Sequence, residues 1–168
     1  MTTDLGTLNQ KVLERFAEEL HEADTLQLVH LAQRAEGRFR SDLGVRMRQL
    51  VADERDLRTI GNLLTALGAT TADVAATLHR AGYTGEPCVS NICPVAKYVQ
   101  HYGFRDVLVG TCDVDVLVGT DEATYHHLIV ALPEPVQQFV RDFDRGRHPQ
   151  LMGEPIDDER EFRMGGAE

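Results

Sequence analysis

No stretch of this 168-residue chain is apolar for long enough to span a bilayer. Its first residues also lack the charged start and unbroken apolar run of a secretory signal. Together these absences exclude the membrane-spanning class and make a cytoplasmic protein the expectation. Positive charge is scarce as well: Lys and Arg number 17 against 27 Asp and Glu, for a formal net charge of -10. Attraction to a phosphate backbone rests on clustered Lys and Arg that release counterions. Nucleic acid is therefore the disfavoured partner, and a protein the expected one. Cysteine appears three times, and an odd count in a reducing compartment fits free thiols rather than bridges. An apolar fraction of 42% is ordinary for a chain that buries a real core. Nothing demands a metal or disulfide staple, and no cofactor is implied.

The hydrophobic spacing reads as helices first and strands later. Leu8, Val12, Leu13, Phe16 and Leu20 form one stripe behind a Thr7/Gln10 capping box, and Leu28, Leu31, Ala32, Ala35 and Phe39 form a second behind Asp24/Gln27. Ser41 or Asp42 opens a third stretch that runs from Leu43 through Leu67, with a bend or break expected where polar residues cluster at Ala52 to Arg55, and a stop at Gly68. Across Arg34, Arg38, Arg40, Arg46, Arg48, Arg55 and Arg58 the charge turns locally positive, but Glu36, Asp42, Asp53, Glu54 and Asp56 are interspersed. That mixture predicts a solvated, salt-bridged helix surface. Thr71 opens a shorter helix carrying Val74, Ala75 and Leu78, closed by Gly82.

Thr84 to Gly103, TGEPCVSNICPVAKYVQHYG, joins the two halves. Val95, Val99 and Tyr102 recur at helical spacing behind Cys93 and Pro94, with Gly103 placed to end the helix. Beyond it the period becomes two. VLVGT occurs at Val107 to Thr111 and again at Val116 to Thr120, Val114, Val116 and Val118 alternate with Asp113 and Asp115, and Tyr125 to Leu132 is a third candidate strand. Turns at Gly110 to Asp113 and Gly119 to Glu122 make an antiparallel meander the economical arrangement. Pro133 and Pro135 start a last helix with Val136, Phe139, Val140 and Phe143 on its buried face. The expected fold is therefore α+β: an N-terminal helical bundle (1–83), then a small three-stranded antiparallel sheet flanked by two helices (84–150), then an acidic flexible tail (151–168).

Three chemistries can be drawn on this frame. Cys93 at a helix start sits among unpaired N–H groups at the positive end of the helix dipole, which favours its thiolate. His126 or His127 would then be the base, oriented by Asp113, Asp115 or Asp121. A cysteine opening a helix and followed by a strand with histidine is similar to the papain-like cysteine proteases, and HHLIV at His126 to Val130 resembles their histidine strand. The resemblance spans about forty residues, without the glycine-rich cysteine signature of that family or a recognisable oxyanion residue, and it implies a thiol hydrolase or transferase. The plainer reading makes Cys93 a small buried residue whose sulfur caps a helix.

A zinc set of Cys88, Cys93, His101 and Cys112 can also be written, but His101 lies two helical turns, about 12 Å, beyond Cys93, so one ion cannot take both. Finally, residues 60–82 resemble a helix-turn-helix, with Thr70 or Thr71 as cap; Ala72, Asp73, Ala76 and Thr77 would face the groove and only Arg80 is basic. An ordinary corner between two helices fits those residues as well. The expected function is a small cytoplasmic protein-interaction or regulatory protein that binds a macromolecular partner. The Cys93 enzyme and a DNA-binding regulator are the alternatives.

Overall fold

Helix caps and apolar spacing account for most elements of the computed structural model, which describes residues 5–36, 42–119 and 124–153. Expectations that fell on Arg38, Phe39, Arg40, Ser41, Thr120, Asp121, Glu122 and 154–168 lie outside the described residues. The first helix, α1 (Leu5–Glu22), begins before Thr7, which therefore lies inside it. First-turn N–H groups have no intrahelical partner in any case, so such a start is readily displaced from a capping signal. At the start of α2 (Thr25–Glu36) the expected box is present: Asp24 N–H donates to Gln27 Oε1 at 2.8 Å and Gln27 N–H to Asp24 Oδ1 at 2.9 Å.

The expected bend at Ala52 to Arg55 is absent, because α3 (Asp42–Ala66) is one unbroken helix of 25 residues. Its polar cluster contains no breaker. Gln49 Nε2 donates to Asp53 Oδ1 at 2.8 Å and Arg58 Nε to Glu54 Oε1 at 2.7 Å, one-turn pairs that reinforce a helix. Two of its arginines also do more than meet solvent. Arg58 donates to the Leu20 and His21 carbonyls at 3.0 and 3.4 Å, and Arg48 to the Ala35 carbonyl at 3.4 Å. Those carbonyls end α1 and α2, where a cation complements the helix dipole.

The chain divides into two compact units, Met1–Ile60 and Gly61–Glu168, the division falling inside α3. In the first unit Leu13, Phe16, Leu20, Ala23, Leu31, Ala35 and Met47 make the core, with Leu28, Leu43, Leu50 and Val51 packed on it. Arg34 Nη1 meets Glu19 Oε2 at 2.7 Å, joining α2 to α1.

In the second unit Gly68 adopts φ +144°, a conformation that favours glycine, and α4 (Thr71–Arg80) follows. Thr70 is its cap: Asp73 N–H donates to Thr70 Oγ1 at 3.2 Å, and Thr70 N–H to Asp73 Oδ2 at 3.1 Å. Next come α5 (Pro94–His101), β1 (Arg105–Val109), β2 (Asp113–Val118), β3 (His126–Ala131) and α6 (Glu134–Asp144), then one 3₁₀ turn at Pro149–Leu151. The sheet is antiparallel in the order β1-β2-β3. Among the described residues the fold is thus α+β, six helices and a three-stranded antiparallel sheet, with helices before and after the sheet in the chain.

One face of that sheet is buried through Val107, Val109, Val114, Val116 and Val118. α5 packs on β1, and α4 packs against α6, α5 and the 3₁₀ turn. A bulge interrupts β1 between Arg105 and Leu108, with Asp106 at φ +45°. Leu151 is buried, and Met152 and Gly153 are held beside Gly85: Gly85 N–H donates to the Leu151 carbonyl at 2.9 Å and Gly153 N–H to the Gly85 carbonyl at 2.8 Å. A side chain at position 85 would collide with the Ile92 carbonyl, so the backbones approach this closely only with glycine there. No helix among the described residues is long and apolar enough to cross a membrane.

Candidate functional site

Cys93 occupies the position expected of it and behaves otherwise. It is the N-cap of α5, with Pro94 in the first turn, and its Sγ accepts from the Ala96 N–H at 3.4 Å. The residue is only 5% exposed. Burial pushes its thiol from the ordinary 9.0 up to about 11; the Ala96 and Val95 N–H groups and Lys97 pull the other way, and Asp144 adds to the rise. Desolvation therefore outweighs the helix end, and the sulfur is a protonated cap.

The two strand histidines face opposite ways, as the alternation of a strand requires. His126 is half-buried, and its Nδ1–H donates to the Thr124 carbonyl at 2.9 Å. His127 is exposed, and its Nδ1–H donates to Asp115 Oδ1 at 2.7 Å. The histidine-carboxylate pairing drawn from the sequence thus exists, between His127 and Asp115, but no histidine bonds Cys93. Asp113 is exposed on the same strand as Asp115.

His127 and Asp115 belong to the sheet's open face. Leu108, Asp115 and Ile129 stand in one cross-strand row, and Arg105, Leu117 and His127 in the next. Asp115 and His127 meet diagonally between these rows. Around this hydrogen-bonded pair the surface is apolar: Ile129 is 66% exposed and Leu108 42%, with Leu117 half-buried and Ala131 exposed. A polar pair this exposed contributes little to stability, so the row reads as a surface feature and not as a structural clamp. The β-branched alternation of β2 was visible in the sequence; the apolar outward positions Leu108 and Ile129 were missed, because assigning them needs the register and the bulge.

Among the described residues, no three His, Cys, Asp or Glu side chains are grouped to hold a metal ion, so the Cys88, Cys93, His101 and Cys112 set is not brought together. Cys88 is exposed at φ +61°, its N–H donating to Asp144 Oδ1 at 2.8 Å. Cys112 is exposed near Arg141, whose Nη2 donates to its Sγ at 3.9 Å. In the helix-turn-helix segment, α4 buries Val74, Ala75 and Leu78 and exposes Ala72, Asp73, Ala76 and Arg80. Asp73 there is occupied by its capping box.

A second surface went unread. Tyr102, read at helical spacing with Val95 and Val99, is the C-cap of α5 and is 53% exposed. It stacks edge-on against Tyr98 (5.2 Å between centroids) and His101 (5.5 Å), while Tyr83 meets Tyr98 at 5.7 Å and His101 at 6.0 Å. Burial and the hydrogen bond with Tyr102 push the Tyr98 phenol up to about 12. The one-turn spacing of Tyr98 and Tyr102 was the available signal. Compared with known proteins, the chain matches no family model, no curated protein and no solved structure.

Proposed function

We propose that this chain is a cytoplasmic regulatory protein that binds a protein partner through the open face of its sheet and performs no chemistry of its own. The observation that carries this reading is the cross-strand row Leu108, Asp115 and Ile129, whose two apolar members stay exposed while the opposite face is filled with valine. Apolar surface left in water is favourably covered by a partner's apolar surface. A formal charge of -10 supports a protein partner over a polyanion, whose phosphates it would repel.

The thiol-hydrolase alternative needs a deprotonated sulfur within reach of an imidazole. Cys93 has instead a backbone partner and a proton retained to about pH 11. The DNA-binding alternative needs a basic helix start, and the first turn of α4 carries Asp73 and no basic residue. Neither gains an observation of its own.

The test is co-purification from the native host with the wild-type chain and with Ile129→Asp, compared by quantitative mass spectrometry. The reading predicts a set of proteins retained by the wild type and lost with the variant, at unchanged circular dichroism. Equal recovery with both chains overturns it.

A further inference from the structure

The two edges of the sheet are built differently. β1 lies at one edge, where its bulge, Asp106 at φ +45° and a Val109 N–H already bonded to the Ser90 carbonyl at 3.0 Å all hinder a further strand. β3 lies at the other edge and has none of these devices. Its pairing with β2 runs without a bulge from Val118 and His126 to Asp113 and Ala131. From Thr124 to Leu132 the sequence, TYHHLIVAL, holds no proline and no Asp, Glu, Lys or Arg. Proteins ordinarily blunt such an edge with charge, proline or a bulge, because its free N–H and C=O groups are a template for another strand.

The register assigns the free groups. Leu132 N–H donates to the Cys112 carbonyl at 2.9 Å, so antiparallel alternation makes Val114 and Val130, Val116 and Leu128, and Val118 and His126 the hydrogen-bonded pairs. The N–H and C=O groups of His127, Ile129 and Ala131 therefore point away from β2, and among the described residues no backbone group bonds them. Side chains on both faces of β3 are short of cover as well: Ile129 is 66% exposed, and Leu128 and Val130 are half-buried. The strand is also complementary to itself. Laid antiparallel about Ile129, two copies set Ile129 against Ile129 and each His127 against the other copy's Ala131, every pair exchanging both backbone bonds. Leu128 and Val130 then meet in the close non-hydrogen-bonded pairs on the inner face. On the open face a row forms from Asp113 and Ala131 of one copy through His127 and Leu117 of the other to its Arg105, with opposite charges at its two ends.

We infer that this chain forms a two-fold homodimer by antiparallel pairing of β3 with β3 about Ile129, which joins the two sheets into one. A second copy suits this edge because one register satisfies the outward backbone groups, the half-buried side chains and the charges of both strands together. The contact uses the edge of β3 and not its face, so it stands independently of the partner reading above.

Sedimentation equilibrium of the full-length chain gives the first readout. The expected result is a species of twice 18.7 kDa that dissociates on dilution. A monomer at every concentration up to about 1 mM overturns the inference. Amide hydrogen exchange then identifies the surface: the His127, Ile129 and Ala131 amides should be protected in the dimer and lose that protection on dilution, while Leu128 and Val130, bonded to β2, stay protected throughout. A dimer in which the three outward amides exchange freely, or a monomer in which they are protected, also overturns it. Ala131→Pro removes an outward N–H where an edge strand tolerates proline, and should raise the dimer dissociation constant about tenfold or more, since each copy loses a donor. Ile129→Lys, at an exposed position, sets two ammonium groups against each other across the axis and should weaken the dimer likewise. Unchanged dimer affinity in either variant overturns the pairing. Because Ala131→Pro keeps Ile129 on the open face, it should still retain host proteins that Ile129→Asp loses, which separates failure of this inference from failure of the partner reading.

Discussion

The two compact units are built on opposite terms. In Met1–Ile60 the core is a short series of side chains, Phe16, Leu20 and Met47 foremost, and much of the remaining apolar surface is only half covered. Leu26, on α2, is 74% exposed, and Val29 and Val45 are exposed too. Order there relies on links near the surface: Arg58 and Arg48 on the carbonyls that end α1 and α2, Arg34 on Glu19, and the Asp24/Gln27 box. In Gly61–Glu168, Leu78, Val95, Val107, Val114, Val116, Val136, Phe139 and Leu151 are fully buried, and the Phe139 and Phe143 rings stack at 5.9 Å. The difference follows from geometry. A unit of about 60 residues buries only some 60% of the surface its unfolded chain exposes. A sheet backed by helices instead gathers valines from three strands onto one face.

That contrast makes mutational predictions that can break it. Phe139→Ala removes a fully buried ring from the denser unit and is expected to cost about 3–5 kcal/mol in urea denaturation. Leu20→Ala in the first unit is expected toward the lower end of about 2–5 kcal/mol, because half-covered neighbours can close on the space left. If Leu20→Ala proves the costlier change, the proposed difference in packing is wrong.

Alkaline pH provides a third probe, confined to the second unit. Below pH 9 the Cys93 thiol is protonated whether the chain is folded or not; between pH 9 and about 11 only the unfolded chain loses the proton. The stabilisation is therefore complete below pH 9 and is lost as pH rises through 11, an effect of roughly 2–3 kcal/mol. Cys93→Ser keeps a capping oxygen and removes this titration, so its stability curve should fall less steeply over the same window. Identical slopes would show that burial does not govern this thiol. The smallest expected effect is at the open face: Ile129→Asp should change stability by no more than about 0.5 kcal/mol, as surface substitutions generally do. A large loss would mean that Ile129 belongs to the core and not to a binding surface.

What the sequence disclosed was local. Asp24/Gln27, the Pro94 start of α5, the alternation of Val114, Val116 and Val118, and the Pro133 entry into α6 are each written within a few neighbouring residues, and each was found where it was expected. The features that escaped depend on partners far along the chain. Arg58 caps a helix end 37 and 38 residues away, and Arg48 one 13 residues away. The bulge at Asp106 decides that Leu108 faces outward, and no residue near it announces this. Cys93 is the sharpest case. Its helix-end position argued for a thiolate, but that electrostatic benefit is about 0.3–2 kcal/mol, and burial of the sulfur outweighs it. The continuity of α3 was misjudged for the converse reason, since polar residues were taken for a break although they bridge successive turns.

The most direct test of whether α5 begins with a structural sulfur or a nucleophile is iodoacetamide labelling of the native protein across pH 6–9, with each site followed by mass spectrometry. Exposed Cys88 and Cys112 should label steadily as pH rises, while Cys93 stays unmodified until the chain is unfolded. Selective labelling of Cys93 at the acidic end of that range, ahead of the two exposed thiols, would contradict the account and favour the cysteine-enzyme alternative.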